Sequence, residues 1–102
     1  MKDHNYFVYI ITNKSKSVLY TGVTNDLVVR LHQHREDALG EQKHFAGRYS
    51  CYYLLFFDRF ENIDQAIARE KQIKGWKRER KIDLISSFNK DWKFLNDTVE
   101  EL

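Results

Sequence analysis

Proline is missing from the 102-residue chain, and glycine occurs only four times. Turns must therefore be made mostly by Asn, Asp and Ser, whose short polar side chains bond nearby backbone. One cysteine, Cys51, excludes an internal disulfide and fits a reducing cytosol. No apolar run approaches the length of a membrane span, and the N-terminal MKDHNYFVYIITN breaks too soon for a signal peptide. The expectation is one cytoplasmic domain over 1–102, with its core at about 6–95 and no membrane partner.

What the chain does have is apolar bulk, with 42% hydrophobic and 15% aromatic residues, enough for a globular core. Its net charge of +2 hides an uneven distribution. REKQIKGWKRERK (69–81) holds seven basic residues against two Glu, whereas from Asp83 onward five acids face two lysines. A basic band beside an acidic tail suits a polyanionic partner on one face, although a solvated helix surface gives the same pattern.

YFVYIIT (6–12) and SVLYTGVT (17–24) read as strands, joined as a hairpin by a short NKSK turn. NDLVVRLHQHRED (25–37) reads as a helix capped by Asn25 or Asp26. Residues 38–50 carry two glycines and no period, and read as a long loop. CYYLLFF (51–57) reads as a strand covered on both faces. ENIDQAIAREKQIK (61–74), capped near Asn62 and stopped at Gly75, reads as a helix, as does WKRERKIDLISSF (76–88). NKDWKFLN (89–96) reads as a turn and a last helical piece. The order ββαβααα implies an α+β fold, a small antiparallel sheet flanked by helices.

With NKSK as the turn and Thr12 opposite Ser17, Tyr9 falls opposite Tyr20, on one face with Gly22. Two phenols would then flank a patch open to a ligand. A cross-strand aromatic pair also stabilises a sheet by itself. His34 falls on the inward stripe of its helix, with Arg30 one turn before it. Glu70 falls amid Ile63, Ala66, Ile67 and Ile73. A carboxylate there needs a partner, either a basic residue such as Arg30 or a bound cation.

Two phenols, a guanidinium, an imidazole and one carboxylate suit phosphodiester hydrolysis. A divalent ion on Glu70 would polarise the phosphate, and Arg30 would balance charge on the phosphoryl oxygens. A phenol would orient or deprotonate the attacking water if its pKa were lowered by the metal or by Arg30. One carboxylate points to Mg2+ with mostly water and phosphate ligands, with Mn2+ as the alternative.

These residues carry a resemblance. FVY (7–9) and YTG (20–22) stand where the GIY-YIG nuclease superfamily has its two name-giving motifs. RLHQH (30–34), AIAREKQIKGWKRERKIDLI (66–85) and SFNKDW (87–92) follow in the family's order. From about Tyr6 to about Leu95 the chain resembles the small stand-alone bacterial members of that superfamily. The first motif lacks its Gly, Thr21 replaces the middle Ile of the second, and Lys90 follows Asn89 where small members often have Pro. The resemblance implies a three-stranded antiparallel sheet with flanking helices. It also implies active-site tyrosines Tyr9 and Tyr20, a catalytic Arg30, an auxiliary His34, a metal ligand Glu70 and a supporting Asn89.

The expected activity is a metal-dependent DNA endonuclease cutting one strand per active site, in the setting of DNA repair. The alternative is a nucleic-acid-binding module of the same fold with weak or partner-dependent cleavage. Lys71, Lys74, Lys77, Arg78 and Lys81 would give either one salt-dependent phosphate contacts. A third reading uses Trp76, Trp92 and the aromatic strands to bind a protein partner.

Overall fold

In the computed structural model, residues 5–40 and 49–100 are described. Three strands form one antiparallel sheet: β1 (Tyr6–Thr12), β2 (Leu19–Thr24) and β3 (Tyr53–Phe60), in the order β2-β1-β3. The helices are α1 (Leu27–Leu39), α2 (Ile63–Lys74), α3 (Arg78–Phe88) and the short α4 (Asn96–Val99). The α+β class and the ββαβααα order are those expected from the sequence.

Alternation along β1 divides the interior into two layers. Tyr9 and Ile11 pack with Leu27 and Leu31 of α1, Leu54 and Val99. Val8 and Ile10 pack on the other face with Ala66 and Ile73 of α2 and Ile85 of α3. Helices thus cover both faces of the central strand. Asp26 caps α1 by accepting from Val29 N, and Asn62 caps α2 by accepting from Asp64 N and Gln65 N. Each cap satisfies amides that the first helical turn leaves without partners.

The third strand runs to Phe60, beyond the expected 51–57, because Asp58, Arg59 and Phe60 still pair with Val8, Phe7 and Tyr6. A bulge lies opposite Ile10 and Ile11, which pair with Phe56 and Leu54. The extra residue, Leu55, joins Phe56 in the second layer while Leu54 stays in the first. This irregularity explains how an unbroken apolar run serves both layers. Most of the expected 38–50 loop (41–48) lies outside the described residues.

The hairpin register departs from expectation by two residues. Tyr9 stands opposite Gly22, and Tyr20 opposite Ile11. The cause is a six-residue connection, 13–18, in place of a four-residue turn. Asn13 Oδ1 accepts from Ser17 N at 2.9 Å and Val18 N at 3.2 Å. Lys16 takes a left-handed φ of 60° and donates its amide to Asn13 O. The slip is even, so Tyr9 and Tyr20 still share a face.

Candidate active site

The pairing of Tyr9 with Gly22 sets the geometry. A Cβ at position 22 would lie 2.4 Å from Tyr9 Oη and 2.5 Å from Cζ. The Tyr9 ring therefore lies directly across the glycine, and the patch expected to be open to a ligand is filled by the phenol itself. From that position Tyr9 Oη reaches His34 Nε2 at 2.7 Å. His34 is buried, on the inward stripe of α1. Its ring meets Tyr9 and Tyr20 edge-on, with centroids 5.7 and 5.5 Å apart. The imidazole is thus the hub of the two tyrosines.

Burial controls the proton affinities here. It pushes the Tyr9 phenol up to about 12, against hydrogen bonding and charge from Arg30, which pull the other way. The fields of Tyr20 and Glu70 raise it further. Of the two influences expected to lower a phenol's pKa, metal or Arg30, the Arg30 effect on Tyr9 is outweighed by desolvation. Burial, followed by the Arg30 charge, lowers His34 to about 4, with Asp37 opposing. At neutral pH the pair is a protonated phenol and an uncharged imidazole.

This pairing has a measurable consequence for stability. Between pH 6.5 and 4 the unfolded chain protonates His34 and the folded chain does not. The unfolded state then binds more protons, so stability rises with pH over that window. The expected contribution is about 3 kcal/mol, complete above the unfolded pKa and lost as pH falls through the folded one. His34→Gln should flatten this part of the urea-midpoint profile; an unchanged slope would contradict the assignment.

Glu70 reaches the same neighbourhood from α2. Its side chain is 14% exposed and its Oε2 lies 3.0 Å from Lys74 Nζ. Lys74 Nζ in turn sits 5.9 Å from the centre of the Tyr20 ring. Because β2 is an edge strand, α2 can bring these side chains to the rim where Tyr20 stands. Of the two partners expected for Glu70, a basic residue such as Arg30 or a bound cation, the basic residue present is Lys74, one turn along α2. Arg30 Nη1 donates to Gln33 Oε1 at 3.0 Å.

Asn89 is placed differently. It is buried, its Nδ2 donates to Leu55 O at 3.1 Å and Lys93 O at 2.8 Å, and its Oδ1 accepts from Lys93 N. These bonds tie the C-terminal turn to the bulge of β3. Its amide is engaged with backbone.

Of the five basic residues expected to bind phosphate, Lys71, Lys77 and Arg78 are exposed and Lys81 is half-buried. Lys74 is the one drawn into the site. Sequence reasoning missed two contacts in this band. Lys74 lies four residues after Glu70, the spacing of a helical ion pair. Trp76 is flanked by Arg69 and Arg80, whose Cζ atoms lie 5.0 and 4.2 Å from its ring. This cation–π stack pre-orders part of the basic band.

The donor set is compatible with one hard divalent ion. Among the described residues no three His, Cys, Asp or Glu side chains converge. Glu70 is a lone carboxylate already carrying a cationic group, which fits an ion that keeps most of its ligands as water and phosphate. No helix among the described residues is long and apolar enough to cross a membrane.

The fold is a three-stranded antiparallel sheet flanked by helices, and the GIY-YIG catalytic domain matches residues 5–83. The chain belongs to this family, which is a family of nucleases. Within it, the chain is similar to UPF0213 proteins. It is 41% identical to one from Clostridium perfringens over 79% of this chain and 83% of that protein. It is 34% identical to one from Haloquadratum walsbyi, over 82% and 89%. The solution NMR structure of a UPF0213 protein from Bacillus halodurans superimposes with a TM-score of 0.51. That match has 26% identity and covers 92% and 93% of the two chains.

Proposed function

We propose that the protein is a divalent-metal-dependent endonuclease that hydrolyses phosphodiester bonds in DNA, one strand per active site. The observation that carries this reading is the Tyr9–His34 hydrogen bond of 2.7 Å, set between Tyr20 and Arg30 in a chain of a nuclease family. Glu70 would hold the metal, Mg2+ or Mn2+, which when bound would supply Lewis-acid polarisation of the phosphate.

The chain's own residues do the rest. Tyr9, protonated at neutral pH, orients the attacking water through its oxygen. His34, uncharged at neutral pH, takes the hydrogen bond of the Tyr9 hydroxyl on Nε2 and so turns the phenol's lone pairs toward the attacking water, whose proton leaves to solvent. Arg30 stabilises the charge gathering on the phosphoryl oxygens. Tyr20 packs the imidazole edge-on and limits its rotation. Lys71, Lys77, Arg78 and Lys81 steer the DNA backbone, and the Arg69–Trp76–Arg80 stack holds the band in shape.

Nicking of supercoiled plasmid and of a branched oligonucleotide tests the proposal. With Mg2+ or Mn2+ the expected result is accumulation of nicked circles, stopped by a chelator and restored by excess metal. Cleavage that survives full chelation would overturn the metal-dependent mechanism. Salt-sensitive DNA binding with no cleavage under any divalent ion would instead favour the binding-module reading.

A further inference from the structure

Lys74 is paired with the one carboxylate proposed to hold the metal. Its Nζ lies 3.0 Å from Glu70 Oε2, and the carboxylate, only 14% exposed, has little water to replace it. The Tyr20 ring is the other neighbour of the ammonium, 5.9 Å away. Glu preceding Lys by one helical turn is the favourable order for such a pair. Lys71 and Lys77, like Lys74, are exposed, but it is Lys74 that meets Glu70.

We propose that Lys74 is the resident counter-cation of the Glu70 carboxylate: it positions that carboxylate beside Tyr20 and competes with the divalent ion for it. The inference rests on Glu70 being the metal ligand of the proposed nuclease. Its physical content is simple. A carboxylate largely withdrawn from water is costly without a cation, and Lys74 covers that cost in the metal-free protein. The lysine side chain is 48% exposed, so the ammonium can swing into water or onto a substrate phosphate when the carboxylate is loaded. Affinity for metal is thereby weakened, and the free site stays folded and charge-balanced.

Direct Mn2+ binding, followed by the EPR signal of the free aquo ion, tests this without turnover. Lys74→Met should tighten Mn2+ binding by roughly threefold to tenfold, the range expected for removing a partly exposed competing charge. Lys74→Arg, which keeps the cation, should leave the affinity at or below that of the wild type. Lys90→Met, which removes an exposed lysine outside the site, controls for net charge and should change it less than Lys74→Met. In a Glu70→Gln background the Lys74→Met effect should vanish. Unchanged or weaker Mn2+ binding by folded Lys74→Met, while Glu70→Gln still loses binding, overturns this inference alone. Equal Mn2+ binding by the wild type and Glu70→Gln overturns the metal-ligand reading and this inference with it.

Discussion

Glu70→Gln is expected to lower the plasmid-nicking rate by on the order of 10^3 while leaving the fold intact. The glutamine keeps the shape of the side chain on α2, so the packing of Ala66 and Ile73 beside it is undisturbed. The ion pair that is lost is anchored by a lysine side chain 48% exposed, which regains water at once. The expected change in stability is thus small, within about 1 kcal/mol. What disappears is the anionic oxygen that holds the divalent ion, and with it the polarisation of the phosphate. The readout pairs initial nicking rates with urea midpoints. A folded Glu70→Gln that cleaves as fast as the wild type would remove Glu70 from the chemistry. A wild type that binds DNA but does not cut, with Glu70→Gln indistinguishable, would return the weight to a binding module.

The sequence carried the composition of the site better than its contacts. Strand and helix periods placed His34 on the inward stripe and Glu70 on an apolar face, and both side chains are withdrawn from solvent. Partners were harder to read because each is decided by a local backbone event. Asn13 builds a six-residue connection through its own side chain, and that alone moves Tyr9 from Tyr20 to Gly22. No periodicity reports such a turn. Glu70 chose Lys74 over Arg30 because an ion pair within one helix needs no agreement between elements. Asn89 was read as a supporting polar residue, but its partner, the Leu55 carbonyl at the β3 bulge, was not readable. A bulge inside an unbroken apolar run leaves no trace in hydropathy. The proton affinity of Tyr9 was not legible even in sign: a neighbouring guanidinium does lower it, but the burial that outweighs it is a tertiary property.

Gly22→Ala should cost both stability and activity. The new methyl would sit 2.4 Å from Tyr9 Oη and 2.5 Å from Cζ, inside any tolerable contact. Tyr9 is 1% exposed and cannot tilt into solvent, and its ring is held on the far side by His34. Overpacking of this kind costs about 1–3 kcal/mol. The ring must shift by roughly an ångström, and misplacement on that scale costs on the order of 10^2 in rate. The Tyr9–His34 bond breaks in the same movement. If the two effects share that cause, Gly22→Ala added to Tyr9→Phe should lower the rate little further, because the hydroxyl it misplaces is already gone. The stability loss should persist in the double variant, since ring carbon Cζ remains in the way. Full additivity of the two rate losses would mean that Gly22 serves the reaction by some route other than seating Tyr9. A Gly22→Ala protein with wild-type rate and midpoint would mean that the strands part at this pair more easily than the packing of β1 between two buried layers allows.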